Sequence, residues 1–202
     1  DFLAWEPTAN GILSSKVFYE HAIYNNNEFN WMGHLRGNFL KPSRSTLPLR
    51  VAHKKIPTDD FLQTYGISLY SICVLCHQNR EDIDHLFLSC AATSAMWKAM
   101  ADMFEESLPQ LTMILDFLKS WSNIRLSPHL LCLFQVVVAE VIQCTWSSRN
   151  KMIHEQYTFQ VGAALAGILS TIRNTFDPKK FCYSNSLRDL LVLTRFGVIG
   201  KF

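Results

Sequence analysis

The feature that most constrains this chain is a set of three cysteines and one histidine within 18 residues, spaced Cys73-x2-Cys76-x8-His85-x4-Cys90. Two cysteines separated by two residues can turn both sulfurs inward on one tight loop, and a second pair of ligands closes a tetrahedron. The spacing therefore predicts a zinc site with four protein ligands. Such a site leaves no position for a reacting water, so we expect the Zn²⁺ ion to hold the fold rather than to catalyse.

Three other interpretations compete with this ligand set. His77 could replace His85, but it is adjacent to Cys76 and would have to fold back sharply to reach the same ion. A chance grouping of three cysteines and a surface histidine is disfavoured because the spacing is typical of metal fingers. A disulfide between Cys73 and Cys76 is weaker still, since it would leave Cys90 unpaired and nothing else indicates an oxidising compartment.

The composition predicts a folded chain without a membrane span. Its 202 residues are 49% hydrophobic, enough for one sizeable core or two small ones, and a charged fraction of 18% argues against disorder. The first residue is Asp1 rather than Met, which suggests a piece of a longer polypeptide, and no secretory signal opens it. The longest apolar stretch, residues 130–146, is interrupted by polar residues and shorter than the roughly 20 residues of a membrane helix. It predicts a buried helix.

Positive charge is concentrated in one part of the chain. The formal net charge is only +2, but residues 29–58 contain no acidic residue although the chain has 17. This distribution is typical of a surface that meets phosphates, and a solvated face is the alternative. We call residues 34–55 the basic segment, and its candidate nucleic-acid contacts are Arg36, Lys41, Arg44, Arg50, Lys54 and Lys55.

Apolar residues spaced three and four apart predict a mainly α fold. Asn10-Gly11 favours one short N-terminal hairpin. A helix that begins near Ser43 should be disturbed at Pro48, and a helix capped by Thr58 should stop at Gly66. Another packed helix follows Cys90, and later helices are expected from Gln110 to Trp121, Pro128 to about Glu155, Phe159 to Phe176 and Leu187 to Phe196. We expect a zinc-stapled helical module at 1–104 and a helical bundle at 105–202.

Together these residues resemble a known family, the reverse-transcriptase zinc-binding domain of plant non-LTR, LINE-type retrotransposons, whose proteins are often labelled ribonuclease H proteins. The resemblance is good over residues 1–104 and loose beyond them. Besides the four ligands, the residues that carry it are Trp5, Asn10-Gly11, Ser14, Trp31, Pro42, Ile56-Pro57-Thr58-Asp59, Gly66, His85-Leu86-Phe87 and Trp97, with Trp146 and Arg149-Asn150 farther on.

The resemblance implies an accessory domain that lies downstream of a polymerase and assists its contact with template RNA or target DNA. The expected partners are therefore RNA or DNA and a polymerase domain, with no membrane and no small-molecule substrate. The expected location is an intracellular ribonucleoprotein, nuclear or cytoplasmic. The alternative is a non-catalytic protein-interaction scaffold or a degenerate retroelement protein without binding activity.

The acidic residues do not predict an enzyme. A polymerase needs an exposed pair of aspartates on a strand turn, and the only adjacent aspartate pair, Asp59-Asp60, follows Pro57 at a predicted helix start, where it serves as a cap. Ribonuclease H needs several convergent carboxylates for two metal ions, whereas the acids after residue 105 are scattered singly. We expect no catalytic residue in this chain.

The zinc loop, residues 73–90, is itself acidic. It contains Glu81, Asp82 and Asp84 against Arg80 alone, and three thiolates around a dication add one more negative charge. We therefore expect this loop to repel phosphate, so that any nucleic-acid contact comes from the neighbouring basic segment.

Overall fold

The computed structural model describes residues 42–120, 126–175 and 186–198, and it confirms the predicted fold class, because these residues form helices and no strand. The predicted hairpin at Asn10-Gly11 lies outside the described residues. The helices are α1 Pro42–Ala52, α2 Asp59–Thr64, a short π-helix His85–Ser89, α3 Ala91–Phe104, α4 Ile114–Ser120, α5 Pro128–His154, α6 Val161–Thr175 and α7 Leu187–Arg195.

The long helix α5 begins and ends close to its predicted limits. Its start is fixed by a capping residue that is recognisable in the local sequence. Ser127 is the N-cap, and its Oγ accepts a hydrogen bond from Leu130 N at 3.3 Å. Pro128 occupies the first turn. Backbone N–H groups there have no acceptor within the helix, so a proline, which lacks the N–H, costs no helical hydrogen bond.

Helix α5 is also the centre of the core. By length and composition it could cross a membrane, but 67% of its most apolar 18-residue window is buried inside the protein. The prediction of a buried helix is confirmed. Helices α1, α3, α6 and α7 all pack against it.

Helix α1 continues through Pro48, where we expected a disturbance. A proline inside a helix removes one backbone hydrogen bond. Here Leu47 and Val51 on either side of it are buried where α1 packs on α5. We attribute the continuity of the helix to this packing.

Helices on both sides of residue 104 share one hydrophobic core. The ring of Phe104 lies 5.3 Å from that of Phe134 in α5 and 5.0 Å from that of Phe196 after α7, measured between centroids. The division into 1–104 and 105–202 stays a prediction, and the contacts of Phe104 join the helices across it.

Candidate metal centre

The first two predicted ligands lie on a tight turn that the backbone closes. Cys73 N donates to Asn79 O at 2.8 Å, and His77 N donates to Cys73 O at 2.8 Å. His77 has φ +55°, a left-handed conformation that reverses the chain directly after Cys76. The turn therefore brings the sulfurs of Cys73 and Cys76 to the same place.

The π-helix supplies the other two ligands. In a π-helix the backbone hydrogen bond joins residues five apart, and Cys90 N donates to His85 O at 2.7 Å. At the start of this turn, Asp82 Oδ1 accepts from His85 N at 2.7 Å. The four residues between His85 and Cys90 thus form one wide turn with a ligand at each end.

Helix α3 holds the π-helix in place through two buried side chains. Thr93 Oγ1 donates to Leu86 O at 2.8 Å, and Trp97 Nε1 donates to Phe87 O at 2.8 Å. Wide turns leave carbonyl groups without helical donors, and an unpaired buried carbonyl costs free energy. These two bonds satisfy carbonyl groups of the wide turn and fix it against α3.

The four predicted ligands form one cluster. Their donor atoms all lie within 4.8 Å of one another. The Sγ atoms of Cys73 and Cys90 are 3.8 Å apart, and Cys76 Sγ is 3.3 Å from His85 Nε2. A tetrahedral zinc ion with bonds of about 2.3 Å to sulfur and about 2.1 Å to nitrogen separates such atoms by roughly 3.6–3.8 Å. The Cys73–Cys90 separation matches this geometry and the Cys76–His85 separation is slightly shorter, so the four residues could hold a zinc ion.

The imidazole of His85 is oriented for this role. Its Nε2 points into the cluster, while its Nδ1 lies 3.3 Å from Ser89 Oγ, four residues later on the same π-helix. A partner on the second ring nitrogen fixes the orientation of a metal-binding histidine. His77, the competing candidate, is exposed and does not belong to the cluster.

The two buried thiols, Cys73 and Cys90, share a hydrogen bond that makes them unequal. The bond is the largest cause of the low pKa of Cys90, about 5, and it raises the pKa of Cys73. Backbone contacts with Ala92 and Thr93 at the start of α3 also lower the pKa of Cys90. A thiol at a helix N-terminus favours the thiolate, which is the form that binds metal ions.

The acids of the zinc loop bind groups of the protein itself. Glu81 is only 1% exposed. Asp82 is bonded to His85 N. Asp84 is half-buried, with Oδ1 accepting from Ile114 N at 2.8 Å and Oδ2 lying 3.2 Å from Lys54 Nζ. These carboxylates link the zinc loop to other parts of the protein, and the expected repulsion of phosphate stays a prediction.

Arg149 is the residue at this site that the sequence-based interpretation missed. It is buried, and its Nη2 lies 2.7 Å from Glu81 Oε1 and 3.2 Å from Asp59 Oδ1. Burial raises the pKa of Glu81, and Arg149 partly offsets this by lowering it. The one signal for this contact in the sequence was that Asp59 and Arg149 are both among the residues that carry the family resemblance.

The structure describes four of the six candidate nucleic-acid contacts. Arg36 and Lys41 lie outside the described residues. Arg44 is half-buried and pairs with the buried carboxylate of Glu140. The other three, Arg50, Lys54 and Lys55, are exposed.

Comparison with known proteins finds a family that matches the zinc-binding part of the chain. Residues 13–97 match a family described as zinc-binding in reverse transcriptase, and this segment contains all four clustered ligands. No curated protein and no solved structure matches the chain. The match confirms the resemblance and the expected zinc cofactor, while the plant and LINE-type origin stays a prediction.

Proposed function

We propose that this chain, whose residues 13–97 match the zinc-binding domain of reverse transcriptases, is a zinc-stabilised accessory domain that contacts template RNA or target DNA mainly through the basic segment. Its other partner is the polymerase domain of the same or a parent polypeptide. We place it in an intracellular ribonucleoprotein, nuclear or cytoplasmic. Its role is to bind and position, without catalysis.

One contact carries this proposal, the ion pair between Lys54 and Asp84. Lys54 Nζ lies 3.2 Å from Asp84 Oδ2, so the end of the basic segment touches the zinc loop. A metal ion bound by this loop would fix the loop, and through Asp84 it would help to position the basic residues that follow α1. This arrangement supports a division of roles, in which zinc sets the geometry and the basic segment meets the phosphates.

The cations best suited to phosphate contact are Arg50, Lys54 and Lys55. All three are exposed, and Arg50 Nε donates to Lys55 O at 3.2 Å, which holds them together at the end of α1. Arg44 is a weaker candidate because the buried carboxylate of Glu140 already binds it. Replacing Arg44 would therefore mix a loss of stability with any loss of binding.

The test compares two triple variants of the whole chain. The first is Arg50→Gln/Lys54→Gln/Lys55→Gln. The control, Lys98→Gln/Arg188→Gln/Arg195→Gln, removes the same number of exposed positive charges outside the basic segment. Filter binding of RNA and DNA at two salt concentrations measures affinity and its salt dependence.

We expect the first variant to bind all sequences more weakly and to have a flatter salt dependence. Each lost phosphate contact should reduce the slope of log K against log salt by about 0.7–0.9. The control should keep the wild-type slope, and both variants should keep their zinc. If affinity and slope are unchanged in the first variant while zinc is retained, the basic segment is a solvated face and the scaffold interpretation replaces this one.

A further inference from the structure

The loop that leads into the first zinc ligand exposes apolar and aromatic side chains. We call residues 65–72 the tyrosine loop. Tyr65 is 71% exposed and Tyr70 is 89% exposed, with Ile67 and Ile72 at 48% and 40%. Contact of large apolar side chains with water is unfavourable, and a partner that covers them gains the free energy of their burial.

The tyrosine loop is held to α2 and to Arg80 by one glutamine. Gln63 Nε2 donates to Leu69 O at 3.1 Å, and Gln63 Oε1 accepts a hydrogen bond from the Arg80 guanidinium. The ring of Tyr65 lies 5.1 Å from that of Phe61 in α2, between centroids. The two tyrosines are therefore presented on an anchored loop, and a cation is fixed close to the backbone that precedes Tyr70.

The charges around this loop favour the binding of a polyanion. Residues 61–80 contain no acidic residue, and the nearby acids of the zinc loop bind a buried arginine and backbone N–H groups of the protein. The exposed polar groups at the end of this stretch are His77, Gln78, Asn79 and Arg80. These side chains are one guanidinium, two amides and one imidazole, all of which hydrogen-bond to phosphates or to base edges.

We propose that the tyrosine loop binds unpaired bases of a single-stranded nucleic acid, with Tyr65 and Tyr70 stacking on bases and Arg80 contacting the backbone. This inference rests on the proposed function and adds a second, stacking surface to it. Aromatic rings accept any base, because every base has a π face, but they need that face free of a neighbouring base. The loop should therefore bind single strands in preference to duplexes.

The experiment uses the whole chain with zinc bound. Fluorescence anisotropy compares a labelled oligouridine, an oligothymidine of the same length and a duplex of the same length. The variants are Tyr65→Ala/Tyr70→Ala and the matched control Tyr65→Phe/Tyr70→Phe, which keeps both rings. Zinc content and the urea midpoint show that each variant is folded.

We expect the alanine variant to lose about tenfold in single-strand affinity for each ring removed, with duplex affinity and the salt slope unchanged. The phenylalanine variant should bind as the wild type does. A loss on only one of the two single strands also supports the proposal and identifies that strand as the ligand.

Two results would overturn the inference and leave the proposed function standing. In the first, the folded alanine variant binds single strands as tightly as the wild type, which would leave the loop as a surface for a protein partner. In the second, the loss is equal on single strand and duplex. If the wild type binds none of the three probes, the proposed function itself fails.

Discussion

Arg149 in α5 and Glu81 in the zinc loop form a buried ion pair, although 68 residues separate them in the chain. The guanidinium also meets Asp59 at the start of α2 and lies 5.2 Å from the centroid of the Trp146 ring. One side chain of the long core helix thus binds both the zinc loop and the helix that precedes it. Through Arg149, the part of the chain beyond residue 104 helps to position the metal site.

Removing Arg149 should destabilise the protein strongly. Arg149→Met leaves Glu81 buried without its partner, and breaking a buried pair in this way costs about 3–5 kcal/mol. The double variant Arg149→Met/Glu81→Met removes both charges and should cost clearly less than the sum of the single changes. Urea unfolding in the presence of zinc measures each free energy of unfolding.

The exposed pair of Arg195 and Glu105 provides the control for this prediction. Arg195→Met should change the free energy of unfolding by no more than about 1 kcal/mol, because surface pairs contribute little. If Arg149→Met cost no more than Arg195→Met, the buried pair would not be what holds the zinc loop on α5.

The metal ligands and the long helix could be predicted because their signals are local. The spacing from Cys73 to Cys90 predicts the cluster. The two adjacent residues Ser127 and Pro128 predict the start of α5. The start of α4 shows the limit of this approach. We expected it at Gln110, but it begins at Ile114, whose N–H is capped by Asp84 from the zinc loop.

The same limit applies to charge. Glu81, Asp82 and Asp84 lie close together in the sequence, and their charges alone predict a loop that repels phosphate. Their donors are a buried arginine, the backbone of the π-helix and the backbone of α4. Two of these donors are far along the chain, so only the folded structure shows that the carboxylates are occupied.

The zinc site itself gives the next prediction. Cys90→Ser should abolish stoichiometric zinc binding, and chelation of the wild type should unfold at least residues 56–104, because binding energy at a structural site is folding energy. His77→Gly should keep one zinc per chain, since His77 is outside the cluster and glycine accepts its left-handed φ. Metal analysis of the purified variants checks this. Full zinc content in Cys90→Ser would show that the ligand set is wrong.

The bond from Trp97 to the π-helix should matter for zinc affinity as well as for stability. Trp97→Phe leaves the buried Phe87 carbonyl without its donor, at a cost of about 1–3 kcal/mol. Because that carbonyl lies between the ligands His85 and Cys90, zinc affinity should fall too. A competition titration with a chromophoric chelator measures the affinity.

Trp146→Phe is the matched control for Trp97→Phe. Trp146 stacks on the same residue, Phe87, with ring centroids 6.4 Å apart. This substitution removes no hydrogen bond to the π-helix, so zinc affinity should stay close to that of the wild type. Equal losses in the two variants would indicate that aromatic packing, and not the indole N–H, positions the ligands.

The chain should have no polymerase or ribonuclease H activity. Asp59, half of the only adjacent aspartate pair, is bound by Arg149 and is therefore not free to hold catalytic magnesium. With magnesium or manganese supplied, neither primer extension nor cleavage of the RNA strand of a hybrid is expected. Metal-dependent turnover that copurifies with the protein, and is lost in a folded Asp59→Asn/Asp60→Asn variant, would contradict the accessory role.

The last prediction concerns pH and the buried carboxylate of Glu140. Burial raises its pKa above the ordinary value of 4.5, by more than the adjacent Arg44 lowers it. The folded state therefore keeps this proton to a higher pH than the unfolded state does. The contribution of Glu140 to stability is then greatest below pH 4.5 and falls as the pH rises through the raised pKa of the folded state.

Glu140→Gln isolates this effect because glutamine does not titrate. The free energy of unfolding of the wild type, minus that of the variant, should decrease as the pH rises above 4.5 and through the raised pKa of the folded state. Urea unfolding at saturating zinc measures the difference, and the zinc site contributes equally to both proteins. Glu155→Gln, a change at an exposed glutamate, controls for net charge. A difference that increases with pH would mean that pairing with Arg44 outweighs burial and that the folded state lowers the pKa of Glu140. The ion pair would then stabilise the contact between α1 and α5.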